Sequence, residues 1–148
     1  GVALEEVVMA LEVLYGVDTG LRLDLLPELS RLVEEITGLP NDYLKPVVGR
    51  GGFDYEQWGS TAALSAGGER RYAFPFEPEV IGRSPRLMIG KWSDIGAVQQ
   101  KLAEYGLTAT TEQLAEILVA SQRAGIAYHR PLRDDEFLRI AQEIGVQS

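Results

Sequence analysis

Five stretches of the sequence carry apolar residues at intervals of three and four positions, and this spacing restricts the fold more than any other feature. Apolar residues at these intervals lie on one face of a helix. The pattern predicts five helices: about Leu4 to Tyr15, Asp24 to Ile36, Ser93 or Asp94 to about Tyr105, Thr111 to Gly125, and one after Asp134 and Asp135. The chain is therefore expected to be mainly helical.

The boundaries of these helices are also marked in the sequence. Glycines are predicted to end four of them, at Gly16, Gly38, Gly106 and Gly125. Residues 110–113 match a capping box, and either Ser93 or Asp94 is suited to cap the preceding helix. Residues 86–89 are predicted to form a short strand, so the fold class is mainly α with short β.

The stretch from Lys45 to Ser60 differs in composition from the two parts of the chain on either side of it, which carry the helical spacing of apolar residues. Val47 and Val48 form a short apolar run, residues 49–52 predict a loop with permissive φ angles, and a helix is able to restart at Glu56. A phosphate-binding loop is disfavoured. The G-x-x-x-x-G-K-[ST] pattern is absent, and a G-x-G-x-x-G register from Gly49 meets Asp54 where the third glycine is required.

Composition limits the classes of partner. The 148 residues suit one domain or two small subdomains, and the formal charge of -8 repels nucleic acid and anionic lipid. The sequence has no cysteine, which excludes disulfides, a thiol nucleophile and thiolate metal sites. No signal peptide or apolar run of membrane length is present, so we expect a cytoplasmic protein without nucleic-acid or membrane partners.

Several runs, taken in order, resemble the C-terminal part of a known enzyme family. They are Leu4 to Leu11, Tyr15 to Gly20, Lys45 to Gly49, Pro75 to Gly82 and Ile89 to Ser93. The family is that of the 2-isopropylmalate, homocitrate and citramalate synthases, in the DRE-TIM metallolyase superfamily. The resemblance implies a condensation of an acyl-CoA with a 2-oxo acid on a divalent metal.

The resemblance also implies an architecture in which the barrel itself is absent from this chain. Residues 1–18 correspond to the last helix of a (β/α)8 TIM barrel, 19–80 to a linker and first small subdomain, and 81–148 to a second subdomain with a strand followed by helices. The apolar face of the Leu4 helix is then expected to be exposed. No metal or other cofactor is expected on this chain, since Gly1 stands where the family has a metal-binding asparagine and the divalent metal belongs to the partner barrel.

The resemblance places three candidate catalytic residues, Glu56, Ser60 and Tyr72. Glu56 matches the family pattern, whereas Ser60 occupies the position of a histidine that takes part in the condensation. A serine hydroxyl does not shuttle a proton near neutral pH as imidazole does. The family tyrosine aligns with Ala73, and Tyr72 lies one residue away.

Candidate substrate-binding residues are Arg50, Lys91, Trp92 and Ser93. Trp92 replaces a family histidine, and either shapes an acyl pocket or forms part of the core or a subunit contact. Arg50 is a candidate partner for a carboxylate or for CoA phosphates. His129 is the only histidine, and its position in a connector favours a structural or surface role. The acidic run 134–136 suits a helix N-terminus better than a metal cage.

These observations predict the C-terminal lid and dimerisation part of an acyl-CoA:2-oxo acid condensing enzyme. Its expected partners are a second copy or a separate TIM-barrel subunit, with acyl-CoA and the 2-oxo acid at the shared site. Isolated chains are expected to self-associate through the Leu4 helix and the region of Trp58. The alternative is a non-catalytic assembly or regulatory module. A complete small enzyme is disfavoured because no nucleophile constellation is present.

Overall fold

The computed structural model describes residues 1–56 and 74–146. Ser60 and Tyr72, two of the candidate catalytic residues, lie outside this range, as does Trp58. The described residues are mostly helical, with one two-stranded sheet and no barrel, which confirms the predicted fold class. None of the described helices is both long enough and apolar enough to cross a membrane.

The chain divides into two units, each with its own buried residues. The first comprises Gly1–Phe53 and Phe74–Pro85, and the second comprises Asp54–Ala73 and Arg86–Ser148. The division into segments 1–18, 19–80 and 81–148 derives from the family resemblance and stays a prediction.

The first helix, α1, spans Leu4–Met9 and continues as a π-helical turn over Ala10–Leu14. Val8 and Met9 are buried, whereas Leu4 and Leu14 are exposed. Glu5 forms an ion pair with Lys45 and so ties α1 to the loop that contains this lysine. The apolar face of this helix is thus partly exposed, at Leu4, Val7 and Leu14, and partly buried, at Val8.

The second helix, α2, spans Leu26–Thr37 and follows a short 3-10 turn at Leu23–Leu25. Pro27 fits the first turn, where a backbone N–H is not needed, and Gly38 ends the helix with φ 69°. Only Leu26 of its apolar stripe is buried. The remaining members are exposed: Leu29, Leu32, Val33 and Ile36.

Gly49 and Gly51 of the central loop serve close approach rather than positive φ, which corrects the sequence interpretation. Gly49, Gly51 and Gly52 are all outside the positive-φ region. A Cβ on Gly49 would lie 2.4 Å from the carbonyl oxygen of Lys45, because the chain folds back on itself there. The one residue of this loop with positive φ is Val47, at 66°, and this conformation strains a β-branched residue.

Three aromatic rings pack beneath this loop in the first unit. The ring of Phe53 meets those of Phe74 and Phe76 edge to face, with centroids 5.4 and 5.6 Å away. Arg83 stacks over Phe53 and donates hydrogen bonds to the carbonyl oxygens of Gly49 and Arg50. The guanidinium therefore holds the loop on its aromatic base.

The second unit begins with a parallel pair of very short strands, β1 at Asp54–Tyr55 and β2 at Arg86–Leu87. The side chain of Arg86 binds both carboxylate oxygens of Asp54, at 3.0 and 2.7 Å. Of the strand predicted at 86–89, the structure forms Arg86–Leu87 as strand. Ile89, the last residue of the predicted strand, pairs with Leu132 in an isolated antiparallel bridge.

Three helices follow: α3 at Ile95–Glu104, α4 at Thr111–Tyr128 and α5 at Asp134–Glu143. Asp94 caps α3 by accepting a hydrogen bond from the backbone N–H of Ala97 at 2.9 Å, and the capping box of α4 is formed. Their apolar faces share one core, whose members include Leu87, Ile89, Val98, Leu102, Ile117, Leu132, Phe137 and Ala141. The predicted acidic first turn of α5 is confirmed.

Gly125 does not end α4, contrary to the prediction. The helix continues for three residues and ends at His129, which adopts the left-handed conformation with φ 54°. A Cβ on Gly125 would lie 3.0 Å from the backbone nitrogen of Lys91 and 3.1 Å from the Cα of Gly90. The glycine is therefore required by the close approach of another backbone segment.

A buried lysine connects α3 to α5. Lys101 is 3% exposed, and its ammonium binds Glu104 at 3.0 Å and Asp134 at 3.1 Å. Burial works against its charge, but these two hydrogen bonds outweigh that effect and raise the pKa of Lys101. Asp134 is also partly desolvated, yet hydrogen bonds from Tyr105 and Lys101 lower its pKa.

Replacing Glu136 with glutamine is expected to weaken the acid dependence of stability. The side chain of Arg130 and then the backbone N–H of Arg133 hydrogen-bond its carboxylate and lower its pKa from 4.5 to about 2. A lowered pKa gives stability that is present above the unfolded value of 4.5 and is lost as pH falls through the folded value. Urea unfolding of both proteins between neutral pH and acid measures the difference.

The control for this prediction is Glu143→Gln, an exposed glutamate at the end of the same helix with no ion pair among the described residues. It should keep the slope of stability against pH that the parent shows. Equal slopes for the parent and Glu136→Gln would contradict the assignment.

Candidate functional site

The second unit contains an open pocket with a volume of about 330 Å³. It lies between the turn at residues 90–93, the C-terminal end of α4 and the connector to α5. Its lining includes Glu56, Lys91, Trp92, Ile126, His129 and Arg130. The volume is in the range of small-molecule sites.

Glu56 fixes one wall of this pocket. Its carboxylate accepts a hydrogen bond from the backbone N–H of Trp92 at 3.1 Å. A Cβ on Gly90 would lie 2.7 Å from the same carboxylate oxygen, so any larger residue at position 90 would displace the Glu56 carboxylate. Ser93 closes the turn, because its hydroxyl accepts a hydrogen bond from the N–H of Gly90 at 3.0 Å.

The helix α4 supports the turn from the other side. The side-chain amide of Gln122 donates to the carbonyl oxygen of Ser93 at 3.0 Å, and Gly125 allows the backbone of residues 90 and 91 to touch the helix. The left-handed conformation of His129 then redirects the chain into residues 130 and 131. The pocket is thus built on a helix rather than on loops alone.

The two cations of the pocket differ in how fully they are neutralised. The guanidinium of Arg130 binds both carboxylate oxygens of Glu136, at 2.9 and 2.7 Å, and stacks over the ring of Tyr128. The ammonium of Lys91 lies 4.7 Å from the ring centroid of Trp92. Within the described ranges Lys91 has no ion pair, so its charge is open to a ligand.

The structure brings three of the predicted site residues together, namely Glu56, Lys91 and Trp92. Ser93 lies in the same turn but is 3% exposed and serves as a turn acceptor. Arg50 belongs to the first unit, where it pairs with Glu34 at 3.2 Å. The roles assigned to these residues, and to Ser60 and Tyr72, stay predictions.

Sequence reasoning missed His129 and Arg130 as lining residues of the pocket. His129 was expected to be structural or superficial, and its helix-ending conformation is structural, but its position on the pocket depends on the packing of α4. The available signal was Gly125, a glycine inside a helical pattern, which indicates a packing reason at that position.

Among the described residues that line this pocket, no nucleophile faces a base, and the carboxylate of Glu56 accepts a hydrogen bond from a backbone N–H. Over residues 1–56 and 74–146, no three His, Asp or Glu side chains converge as metal ligands. The described residues therefore do not fit the divalent metal that the family resemblance implies, and we assign no metal step to them.

Comparison with known proteins identifies relatives of one kind. No family model matches the sequence. A provisionally named (R)-citramalate synthase of Methanoculleus marisnigri is 39% identical over 96% of this chain and 28% of the relative. A homocitrate synthase of Methanothermobacter thermautotrophicus is 38% identical over 96% of the chain and 36% of the relative.

A 2-isopropylmalate synthase of Sulfolobus acidocaldarius is 40% identical over 78% of the chain and 30% of the relative. All three relatives are thus synthases, and the chain spans only about a third of their length or less. The chain is homologous to one segment of the citramalate, homocitrate and 2-isopropylmalate synthase family, which confirms the resemblance seen in its motifs.

Proposed function

We propose that this chain is the C-terminal lid and dimerisation part of an acyl-CoA:2-oxo acid condensing synthase, and that it requires a barrel domain or subunit for catalysis. The observation that carries the proposal is the apolar surface of the first unit. Leu29, Leu32, Val33 and Ile36 of α2 are 43–74% exposed. A run of this kind on one helix face indicates a missing packing partner.

The barrel is the partner that the family relationship supports. The relatives are about three times as long as this chain or longer, so most of each synthase has no counterpart here. The exposed side of α1 adds Leu4, Val7 and Leu14 to the apolar surface. We infer that the α1 and α2 faces pack on a TIM barrel supplied by the same polypeptide or by a separate subunit.

In this proposal the barrel carries the divalent metal, which would polarise the 2-oxo acid. The candidate residues Glu56, Ser60 and Tyr72 are the proposed contribution of this chain to the reaction of acyl-CoA with the 2-oxo acid. Glu56 acts there as a positioning residue, because its carboxylate holds the backbone of Trp92. Ser60 provides a hydroxyl for hydrogen bonding and no general base.

A second candidate is a non-catalytic assembly or regulatory module, and two observations favour it. Ser60 and Trp92 stand where the family has histidines, and the carboxylate of Glu56 is bound to a backbone N–H. The packing surface would be retained in such a module while the acid-base groups are lost. Both candidates predict assembly with a barrel, and only the first predicts turnover.

Val33→Glu is expected to weaken assembly with a family barrel domain by roughly tenfold or more, because the substitution removes an apolar contact and buries an unpaired charge. Sedimentation or sizing chromatography of the mixture measures the effect. Val119→Glu is the matched control, since Val119 of α4 in the second unit is 45% exposed and Val33 is 49% exposed. Equal binding of parent and Val33→Glu, or equal losses in both variants, would contradict the proposed packing surface.

A further inference from the structure

Three arginines of the first unit line one open hollow beside α2, with a volume of about 240 Å³. They are Arg31 of α2, Arg50 of the central loop, and Arg83, which follows the 3-10 turn at Pro78–Ile81. The chain as a whole has a formal charge of -8. Guanidinium groups gathered around one hollow therefore reverse the overall electrostatic character of the chain locally.

Two of these guanidinium groups have no carboxylate partner among the residues that the structure describes. Arg31 is exposed and makes no ion pair or side-chain hydrogen bond there. Arg83 donates to the carbonyl oxygens of Gly49 and Arg50 and stacks over the ring of Phe53. Those partners are neutral, so the positive charge of Arg83 is held at the hollow without being cancelled.

The third cation, Arg50, is only partly neutralised. Its guanidinium makes one contact with the carboxylate of Glu34, at 3.2 Å. The other oxygen of that carboxylate accepts a hydrogen bond from the backbone N–H of Asn41 at 2.6 Å. The side chain of Arg50 is 72% exposed, so its remaining N–H donors are available to a ligand.

Two carboxylates also line the hollow and limit the charge of that ligand. Asp24 is already bound by two donors of Arg22, at 2.8 and 2.6 Å, so it adds little to the net charge. Glu28 makes no ion pair within the described part of the chain. Three cations thus face one uncompensated carboxylate, an excess that favours a dianion over a monocarboxylate.

The hollow and the exposed apolar face lie on different sides of α2. Arg31 is two positions from both Leu29 and Val33, which places it roughly 160° around the helix axis from each. A ligand in the hollow is therefore compatible with packing of the apolar face on a barrel. The inference goes beyond the proposed function and does not depend on it.

We propose that this hollow binds a phosphate-type dianion, held by the guanidinium groups of Arg31, Arg50 and Arg83. Each guanidinium presents paired N–H donors that match two oxygens of a phosphate group. The chemistry is shared by free inorganic phosphate and by the phosphate group of a small monoester. The carboxylate of Glu28 repels such a ligand and so weakens its binding.

The test is calorimetric titration of the whole chain, without a barrel domain, with inorganic phosphate, glycerol 3-phosphate and acetate. Constant ionic strength and mildly alkaline pH keep the phosphate groups dianionic. We expect at least one phosphate species to bind at a single site and acetate to bind at least tenfold more weakly. Tighter binding of inorganic phosphate assigns the free anion, tighter binding of glycerol 3-phosphate assigns a monoester, and equal affinities show that the phosphate group alone is recognised.

Arg31→Gln should weaken phosphate binding about tenfold or more, because a charge-assisted hydrogen bond is lost. Glu28→Gln should strengthen it about threefold to tenfold, because the opposing charge is removed. Arg123→Gln is the matched control and should leave binding unchanged. Like Arg31, Arg123 is an exposed helical arginine without an ion pair among the described residues, but it belongs to the second unit.

Absence of binding by both phosphate species overturns the proposal, as does acetate binding of equal affinity. Unchanged binding by Arg31→Gln, or equal losses in Arg31→Gln and Arg123→Gln, also contradicts it, because the hollow would then not be the site. Weaker binding by Glu28→Gln counts against it in the same way. Since Arg31 and Glu28 are exposed, an unchanged circular dichroism spectrum of the variants excludes unfolding as the cause.

Discussion

Replacing Phe137 with alanine is expected to lower the free energy of unfolding of the second unit by about 3–5 kcal/mol. Phe137 is 1% exposed, the largest fully buried side chain among the residues that the structure describes, and lies in the core that the three helices of this unit share. Its removal loses the transfer free energy of the ring and leaves a cavity that α5 fills only by moving. Urea denaturation followed by circular dichroism measures the loss.

The matched control is Arg139→Ala, two residues along the same helix. Arg139 is exposed and makes only a 3.8 Å ion pair with Asp135, so its replacement should cost less than about 1 kcal/mol. A loss below 1 kcal/mol for Phe137→Ala, on the scale of this control, would show that α5 does not pack as described.

Replacing Gly49 with alanine is expected to destabilise the first unit by about 3 kcal/mol. The new Cβ would lie 2.4 Å from the carbonyl oxygen and 2.5 Å from the nitrogen of Lys45, and 2.8 Å from the carbonyl oxygen of Tyr43. All three neighbours are backbone atoms that hold the turn, where the N–H of Gly49 donates to the carbonyl of Lys45 at 2.8 Å. The turn must therefore open to accept a methyl group.

Gly52→Ala provides the control within the same loop. Its Cβ would lie 3.4 Å from the nearest atom, the carbonyl oxygen of Gly49, and its φ is outside the positive region. The substitution should be neutral or stabilising by up to about 1 kcal/mol, since it restricts the unfolded chain. Equal stability of the two variants in denaturant titrations would refute the close approach at Gly49.

The helices were predictable because their signals are local. The apolar spacing and the capping residues around α3 and α4 depend on nearest neighbours along the chain, and Asp94 and Thr110 cap as their residue types predict. The pairing of β1 with β2 was not predictable. Two-residue strands carry no alternation, and their partners are 32 positions apart.

The roles of individual glycines were harder to predict because each depends on which backbone atoms the folded chain brings close to that glycine. Gly49 is required where the chain folds back on Lys45 and Tyr43, and Gly125 is required by the approach of the backbone of residues 90 and 91. Sequence alone does not distinguish these roles from an ordinary turn or helix end. The positive φ of Val47 opposes its residue type. The pocket at Trp92 likewise depends on how α4 packs, so only part of its lining followed from the family motifs.

The most direct measurement of the central claim is the release of free CoA in mixtures of this chain with a family barrel domain, a divalent metal, acetyl-CoA and a panel of 2-oxo acids. We predict turnover in the complete mixture and none when either polypeptide is omitted, because the chain is expected to complete a site that the barrel begins. Equal turnover by the barrel with and without this chain would contradict the proposed role. If the complete mixture released no CoA while a stable complex still formed, the assembly or regulatory module would remain as the function.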